Sequence, residues 1–433
     1  MRMTRKTVTL VVALSFLLFC GASLAMGWGA IRALSHAGWN PEKLRVTLGS
    51  GETATVTQTL AIPGSAPRKL VLDAGFGDVV VRGDAGSDLR VRLTKRAERG
   101  SRPEAEAAAK ALRVEVIREG DVLRLVSPPQ PARPGGLHLG SPNADRIDYD
   151  ISLPADTEVD LGLMAGGLEL EGLRAAAAIQ SSFGDLRLRR VQGAVTAELG
   201  SGAIDAAEIG AEGAAVALRS RFGDVRASDV RGALTLRTES GALRAERVQA
   251  GRGAVILESR FGDIDLEDVV AGDLTVENQT GATDLSKIRA GGRFTLTGRF
   301  GDQRLREVDA VSALLERGNG SLDWSGGRVR TSLEIRGGLG DMALSDVLGA
   351  TMTVTGGQSG DMRIGLPADA DLTVRLKTDA GEIDSDFALT PATQDRARLG
   401  RTLSGKLGDG AGRLEVSGHV GDIHLLRLPA RPR

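Results

Sequence analysis

The sequence predicts an all-β protein: a parallel β-helix, or solenoid, with coils of about 20 residues and a small α+β module at its N-terminal end. A phenylalanine-glycine-aspartate signature returns every 39 residues, a second glycine turn divides each interval, and short runs of alternating apolar and polar residues follow the turns. A fixed period of this size is typical of repeat architectures, in which no single unit can bury its own apolar face. The coils must therefore stack on one another to form a continuous core.

The signature occurs in five successive repeats, and the last copy has leucine in place of the aromatic residue. Glycine adopts positive φ without steric cost, and an aspartate side chain hydrogen-bonds nearby backbone groups. We therefore interpret each copy as a tight turn that its aspartate caps. The copies are Phe183-Gly184-Asp185, Phe222-Gly223-Asp224, Phe261-Gly262-Asp263, Phe300-Gly301-Asp302 and Leu339-Gly340-Asp341.

A second glycine turn, Ser-Gly-Ala or a variant of it, lies between consecutive signatures. The glycines of both turns are 18 to 21 residues apart, which is the length of one coil. The 39-residue repeat is thus a doublet of coils. The glycines in order are Gly184, Gly202, Gly223, Gly241, Gly262, Gly281, Gly301, Gly320, Gly340 and Gly360.

Short strands follow the signatures. Ile264 and Leu266 alternate with Asp265, and the other copies show the same pattern. Period-two alternation bounded by glycine indicates a strand with one buried face. Roughly 11 coils between residues 161 and 387, at ~4.7 to 4.9 Å per strand, would make a rod about 50 Å long. Right-handed crossovers are the rule for parallel strands, so we expect a right-handed solenoid.

The N-terminus has the pattern of an export signal. Basic residues precede an apolar run over residues 8–24, whose end, Ser23-Leu24-Ala25, fits a signal peptidase site. We predict that residues 1–25 are a cleaved signal peptide and that the chain is exported to the periplasm, the cell envelope or the outer surface. The alternative is an uncleaved anchor, because the run approaches the ~20 residues that span a bilayer.

The net charge bears on which partners the chain can bind, and the cysteine content bears on lipidation and disulfide bonds. The formal net charge of -1 gives no electrostatic case for binding nucleic acid or anionic membrane surfaces. Membrane contact is expected only through an uncleaved N-terminal segment. Cys20 is the only cysteine, and the bulky Phe19 before it argues against a lipoprotein site. The mature chain would have no disulfide, so its stability must come from the stacked core.

The remaining chain divides into four segments. A short helix is expected from Pro103 and a hairpin turn at Gly120. An outlying signature, Phe76-Gly77-Asp78, does not fit the 39-residue register. The segments are a linker (26–69), an N-terminal module with that helix and hairpin (70–153), the β-solenoid (154–390), and a polar excursion followed by C-terminal capping coils (391–433).

The chain resembles the LiaG-like adhesin family of bacterial envelope proteins, a domain of unknown function. The resemblance spans roughly residues 70–427 and implies an exported, non-enzymatic β-solenoid, often tied to envelope-stress or regulatory operons. The adhesin label of that family rests on no demonstrated ligand. The residues that carry the resemblance are Tyr149-Asp150-Ile151-Ser152-Leu153-Pro154, the Gly-Asp and Ser-Gly turns from Gly184 to Gly360, Leu366-Pro367-Ala368, Gly408-Asp409-Gly410 and Gly421-Asp422-Ile423.

The signature aspartates are the first candidates for chemistry. Stacked in every second coil, they would lie about 9 to 10 Å apart. Two of them could not share a calcium ion, whose ligands lie at ~2.3 to 2.6 Å. We therefore expect turn caps, with no metal site and no cofactor.

The phenylalanines of the signatures form a second ladder. We expect them to fill an internal corner of the core, and the alternative is an exposed platform on which sugars stack. Gln303 occupies an inward position that is apolar in other copies, either as a buried amide satisfied by the ladder or at a local kink.

The outward faces alternate in sign between coils, as Arg187 and Arg226 do against Asp265. This pattern indicates a solvated face with cross-strand ion pairs. The alternative is a long flat surface for a polymer or a protein partner.

Catalysis finds little support in the sequence. The histidines His36, His138, His419 and His424 are scattered, and no nucleophile motif accompanies them. A β-helix polysaccharide lyase or hydrolase would need acids and bases clustered in a cleft. We interpret the chain as a non-catalytic binding, adhesin-like or structural element of the bacterial envelope, whose partner is an envelope protein or a surface polymer. The alternatives are an envelope-stress regulatory accessory that contacts a membrane protein, and a carbohydrate-active β-helix enzyme.

Overall fold

A computed structural model describes residues 52–62, 65–84, 86, 88–127, 145–396 and 400–429. Over these residues, 32 strands and one helix are present, and the strands form a parallel β-solenoid of about 10 turns. The predicted fold class is confirmed. The predicted signal peptide, residues 1–25, lies outside the described residues. No helix in the described part of the chain combines the length and apolarity needed to cross a membrane.

Each regular turn contributes two strands that flank a glycine corner. The regular strands are β8 (Glu158–Ala165), β9 (Leu168–Glu171), β10 (Ala177–Phe183), β11 (Leu186–Arg189), β12 (Val195–Ser201), β13 (Ile204–Ile209), β14 (Ala215–Phe222), β15 (Val225–Arg231), β16 (Ala233–Ser240), β17 (Leu243–Gln249), β18 (Val255–Phe261), β19 (Ile264–Ala271), β20 (Leu274–Thr280), β21 (Thr283–Ala290) and β22 (Arg293–Phe300). Every strand pairs in parallel with the equivalent strands of its neighbours: β18 with β16 and β20, and β19 with β17 and β21. Two parallel sheets therefore meet at the glycine corner.

Three long strands continue this stack. They are β23 (Gln303–Asn319), β24 (Leu322–Arg336) and β25 (Met342–Thr355). Each is long because it runs from one sheet into the other: the first part of β23 pairs with β21 and its last part pairs with β22.

The core is a ladder of small and branched apolar side chains. Ile264 and Leu266 are buried as the alternation predicts, and Asp265 between them faces outward. Phe294 packs edge-on against Trp324 at 6.4 Å between ring centroids. Full burial of one such side chain contributes about 1.5 to 3 kcal/mol. The stacked turns therefore supply the stability that no single turn can have.

Antiparallel strands close the N-terminal end. The elements there are β1 (Glu52–Leu60), β2 (Lys69–Phe76), β3 (Val79–Asp84), β4 (Arg90–Arg99), α1 (Arg102–Ala111), β5 (Glu115–Glu119), β6 (Val122–Val126) and β7 (Arg146–Pro154). β2 and β3 form a turn beside β8 and β9, and β6 and β7 stack outside that turn. β5 then covers β6, while β4 and β1 extend β7, all antiparallel. These strands shield the edge that an open stack would expose.

The helix and the hairpin predicted for this region are both present. The expected helix is α1, which buries Ala105 and Ala109. The expected hairpin is the β5–β6 pair. Residues 52–60, assigned to the linker from sequence, instead form β1, because β4 offers them an unpaired strand edge. The rest of the assigned linker lies mostly outside the described residues.

The C-terminal end is closed by a rearranged chain order. Its strands are β26 (Met362–Pro367), β27 (Leu372–Ala380), β28 (Ile383–Ser385), β29 (Thr390–Arg396), β30 (Arg401–Leu407), β31 (Gly412–Val420) and β32 (Ile423–Leu428). β31 lies between β25 and β27, and β32 lies between β26 and β28. The turn formed by β31 and β32 is the last in sequence, but it stacks between the end of β25 with β26 and the turn formed by β27 and β28. The predicted polar excursion forms the β29–β30 hairpin, and β30 covers β27 in antiparallel pairing.

Candidate functional site

One corner of the solenoid is a continuous column of glycines. Their φ angles lie between +116° and +152°. A Cβ on any of them would lie 2.0 to 2.3 Å from a backbone carbonyl oxygen of the adjacent turn. Glycine is therefore required at every level, for conformation and for space. In stacking order the column is Gly77, Gly166, Gly184, Gly202, Gly223, Gly241, Gly262, Gly281, Gly301, Gly320, Gly340, Gly360, Gly421 and Gly381.

The order of this column explains two irregularities of the sequence. Gly77, from the outlying signature, stacks directly beside Gly166. The distance along the chain from Gly77 to the next column glycine does not fit the repeat, because the chain between β3 and β8 first forms the strands that close the N-terminal end. Gly421 stacks between Gly360 and Gly381, as the inserted β31–β32 turn requires.

The signature aspartates cap the turns of the adjacent coils. The Oδ1 atom of Asp185 accepts a hydrogen bond of 2.8 Å from the backbone N–H of Ala203, and Asp224 does the same at 3.0 Å from Ala242. The equivalent bonds are Asp263 with Ala282, Asp302 with Ser321, and Asp341 with Asp361. Hydrogen bonds from the backbone and hydroxyl of Ser321 hold the pKa of Asp302 below its usual value. Over the described residues, no group of three or more histidine, cysteine or acidic side chains is placed to hold a metal ion.

The phenylalanines before the glycines point into solvent. Phe183 is 60% exposed, Phe222 55%, Phe261 59% and Phe300 55%. The expectation of an internal corner was wrong, because the rings lie at the surface. At this corner the backbones of adjacent turns approach closely, and the side chains that lie inside it come from other positions, such as Ser220 and Asn278.

These rings belong to a longer exposed column. Phe76, Leu339 and Val420 are 45%, 40% and 54% exposed and occupy the position before a column glycine. We call Phe76, Phe183, Phe222, Phe261, Phe300, Leu339 and Val420 the apolar column. In the intervening turns this position holds a small side chain. The register pairs Phe261 with Ser240 on one side and Thr280 on the other, and the other intervening residues are Ala165, Ser201, Asn319, Ser359 and Ala380.

Charged side chains accompany the rings. An arginine precedes three of them directly: Arg221, Arg260 and Arg299, all exposed. The guanidinium of Arg221 lies 3.8 Å from the carboxylate of Glu239 in the next turn. An aspartate follows each of the four rings at the second position. The column is therefore a row of aromatic faces among charges of both signs.

A polar seam lies inside the same corner. Ser220 donates to the carbonyl of Gly202 at 2.8 Å, and Asn278 donates to that of Gly262 at 3.2 Å. Gln303 is buried, and its amide Nε2 fills space beside Gly298. The register runs through Gln303 without a shift, so the position holds a buried amide and no kink. Ser220 and Asn278 thus bond carbonyls at the corner, whereas the Oε1 atom of Gln303 is buried without a partner, so this amide is not satisfied by the ladder as expected.

Arg317 is the one charged member of this seam within the described chain. Its Nη2 donates to the carbonyls of Gly320 and Asp341. Its Nη1 is buried without a partner. Burial lowers the pKa of the guanidinium to about 10, against the opposing effect of the Asp302 and Asp341 carboxylates. The group is still charged at neutral pH.

A groove of about 470 Å³ lies on the outward face of β17, β19, β21 and β23. Asp265 and Asp284 are direct partners on neighbouring strands in its floor. Burial, and then the carboxylate of Asp284, raise the pKa of Asp265. Other charged groups that line it are Arg244, Glu246, Glu267, Arg304 and Arg306. Acids and bases are thus clustered here, as the enzyme alternative requires.

Ion pairs between adjacent turns occur on the outward faces. Arg189 pairs with Asp205 at 2.6 Å, and Lys287 pairs with Glu267 at 3.1 Å, both between adjacent turns. Exposed pairs of this kind are worth about 0 to 1 kcal/mol each. The predicted pairing between turns is therefore present at Arg189 and Lys287, whereas Arg226 pairs with Asp224 of its own turn and Asp265 lies beside Asp284.

The C-terminal histidines do not form a common site. His419 Nδ1 lies 2.8 Å from Asp379, and His424 Nδ1 lies 3.6 Å from Asp384. Each histidine has its own carboxylate partner across a strand pair. His36 and His138 lie outside the described residues.

The sequence profile of the family Toastrack DUF4097 matches residues 67–426. The match covers more than half of the chain. This protein belongs to the Toastrack family. The match runs from the segment before β2 into β32, so the Toastrack domain includes both closed ends as well as the regular stack.

Solved structures with low sequence identity also align with this Toastrack chain. A candidate cell adhesion protein from Clostridium sporogenes shares 10% identity over 87% of this chain and 100% of its own, with a TM-score of 0.20. A candidate adhesin from Bacteroides fragilis shares 9% over 86% and 97%, with a TM-score of 0.23. A candidate lipid-binding protein from Parabacteroides distasonis shares 10% over 86% and 96%, with a TM-score of 0.21. No curated protein matches the chain at a significant level.

One signal in the Toastrack sequence indicates that the rings are exposed. A corner of the core needs a large side chain in every turn, but Ser201, Ser240 and Thr280 occupy this position in alternate turns. Small polar residues at one register position are typical of a surface. The alternation within the doublet was thus the overlooked observation.

Proposed function

We propose that this Toastrack protein is a non-catalytic, adhesin-like binding element of the bacterial cell envelope and that the apolar column is its binding surface. The observation that carries the proposal is the exposure of four phenylalanines, each at least 55%, at one repeated position. Aromatic side chains are normally buried, and a regular row of exposed rings indicates an interaction site.

Features of the structure support a rigid binding surface. The rings follow a corner whose backbone has no freedom, since every turn carries a glycine with positive φ and most carry an interturn cap. A ring on such a corner loses little conformational freedom when a ligand binds. The column also runs through both the regular turns and the closing turns, so it offers a long surface.

The location in the envelope is proposed from the N-terminal pattern. Basic residues, an apolar run and Ser23-Leu24-Ala25 support export, and the LiaG-like resemblance supports the envelope. Fractionation of cells that express the full chain tests this: we expect the protein in the periplasmic or envelope fraction. Recovery from the cytoplasm alone would contradict export.

Sedimentation with isolated envelope fragments tests the binding surface. The variant replaces Phe183, Phe222, Phe261 and Phe300 by serine, which alternate turns already carry at this position, so the fold should persist. We expect the wild-type full chain to sediment with the fragments and the variant to remain in solution. Ile117→Ser and Leu426→Ser remove exposed apolar side chains outside the column and should bind like wild type. Equal sedimentation of wild type and the quadruple variant would refute the column as the binding surface.

The groove favours a second candidate, a carbohydrate-active enzyme. Asp265 and Asp284 face the groove from adjacent strands, and the raised pKa of Asp265 would suit a proton donor. Release of reducing ends from envelope polysaccharide, lost in Asp265→Asn, would support this candidate. Absence of turnover together with column-dependent binding would leave the non-catalytic function.

A further inference from the structure

We infer that the apolar column binds an extended, uncharged glycan that spans several turns at once. The inference rests on the proposed function and adds the chemical class and the binding mode. It depends on the spacing of the rings, the groups between them and the charges beside them.

The spacing of the rings requires a long ligand. Phe183 and Phe300 are separated by six strand steps, through Ser201, Phe222, Ser240, Phe261 and Thr280. At ~4.7 to 4.9 Å per step, neighbouring rings lie about 9 to 10 Å apart and the four rings span about 28 Å. A compact molecule reaches one ring, whereas an extended polymer reaches all four.

The groups between the rings favour sugars. The hydroxyls of Ser201, Ser240 and Thr280 alternate with the phenylalanine rings. A sugar chain has apolar C–H faces, which stack on rings, and hydroxyl groups, which exchange hydrogen bonds with hydroxyls. The apolar face of a protein helix or a lipid surface would instead meet a polar group in every second turn and leave it unpaired.

The mixed charges beside the rings favour an uncharged ligand over a polyanion. Arg260 and Arg299 form no ion pair with other described residues, so their guanidinium groups can donate to ligand oxygens. Asp263 and Asp302, two positions after the rings, would repel sulfates, phosphates or uronates. A single nucleic-acid strand that stacks its bases on aromatic side chains also needs a basic groove for its phosphates, and the charges beside these rings are of both signs. Uncharged sugars can lie beside both the arginines and the aspartates without such repulsion.

A graded series of neutral β-1,4-linked N-acetylglucosamine, glucose and mannose oligomers, from monosaccharide to octasaccharide, tests the inference by calorimetric titration of the full chain. Once an oligomer is bound to one phenylalanine, its contact with each further phenylalanine is intramolecular. We therefore expect at least one series to bind about 10²-fold tighter at the longest length than at the shortest. Phe261→Ser, in the middle of the row, should weaken long oligomers several-fold and leave the shortest nearly unchanged. Ile117→Ser and Leu426→Ser should match wild type.

Other outcomes overturn the inference in distinguishable ways. Column-dependent sedimentation with envelope fragments, without binding of any neutral series, would refute the glycan and keep the proposed function. Affinity independent of length would refute the spanning mode, and preference for uronate oligomers over neutral ones would refute the charge assignment. Self-association that the quadruple serine variant abolishes, without glycan or envelope binding, would make the column a contact between copies and refute both proposals.

Discussion

The Oδ1 atom of Asp263 accepts a hydrogen bond of 2.8 Å from the backbone N–H of Ala282, which belongs to the next turn of the solenoid. The same bond recurs between turns along the glycine column. Each aspartate therefore stabilises an interface between turns and not its own turn alone. In repeat proteins such interfaces carry much of the folding free energy, because isolated units are unstable.

Replacing Asp263 by alanine should release this amide. We expect a loss of about 1 to 2 kcal/mol in the free energy of unfolding, because a charge-assisted acceptor is removed. Hydrogen exchange at the Ala282 amide should accelerate, while Asp263→Asn, which keeps an acceptor, should show a smaller change. Glu277→Ala, at an exposed position nearby, is the control and should change neither quantity. Unchanged protection of the Ala282 amide in Asp263→Ala would contradict the interturn cap.

Replacing Gly262 should be far more costly. Its φ is +146°, and an alanine Cβ would lie 2.0 Å from the carbonyl oxygen of Gly241. We expect Gly262→Ala to lose about 3 kcal/mol or more and Gly262→Val to lose more still, measured by thermal and chemical denaturation. Gly251 also has positive φ, +61°, but nothing lies within 4 Å of its Cβ position. Gly251→Ala should cost only about 1 kcal/mol, and equal losses at both sites would show that backbone strain, not contact between turns, selects glycine.

Replacing Asp302 and replacing Asp265 should change the stability at neutral pH in opposite directions. Hydrogen bonds from Ser321 lower the pKa of Asp302 in the folded state. Its contribution is therefore present above the ordinary value of 3.8 and lost as pH falls through the lower folded pKa. Asp302→Asn should be less stable than wild type at neutral pH, and the difference should fade below 3.8.

Asp265 should show the reverse. Burial and the carboxylate of Asp284 raise its pKa in the folded state, so the ionised side chain costs stability above that pKa. The cost disappears as pH falls below the ordinary value of 3.8. Asp265→Asn should be more stable than wild type at neutral pH, with a difference that shrinks in acid. The measurement is a set of melting curves of both variants from neutral pH to acid. A stability change of the same sign in both variants at neutral pH would contradict the opposite pKa shifts of Asp302 and Asp265.

The Arg317 guanidinium should be dispensable for stability. It is largely buried, and its Nη1 lacks a partner. Asparagine occupies the equivalent inner position two turns earlier, where Asn278 bonds the carbonyls of Gly262 and Gly281. We expect Arg317→Asn to be neutral or stabilising by about 1 kcal/mol at neutral pH, because a desolvated charge is removed. Arg317→Leu is the control: it removes the charge and every donor, so it should leave the Gly320 carbonyl unpaired and be less stable than Arg317→Asn.

The regular turns were largely predictable from sequence. Glycine spacing located the corner from Gly184 to Gly360, and alternation identified buried positions such as Ile264 and Leu266, because burial and strand periodicity are local consequences of the residues themselves. The exposure of Phe261 was not predicted, although Ser240 and Thr280 at the same position of the neighbouring turns indicate a surface.

The groove around Asp265 and Asp284 was also beyond prediction from the sequence alone. Its lining residues come from four turns, and the aspartates are 19 residues apart in the chain. From the sequence, signature aspartates were predicted only in every second coil. The register between β19 and β21 places two of them side by side, with arginines from the flanking turns.

By itself, the sequence determined the repeat, the corner and the inward positions, since each depends on a residue type recurring at a fixed interval. The tertiary structure alone decided the order of the last turns, where Gly421 stacks between Gly360 and Gly381. It also decided that β1 and the β29–β30 hairpin cover strand edges. The physical reason is that these features arise from contacts between turns, and a period along the chain does not specify which turns become neighbours in space.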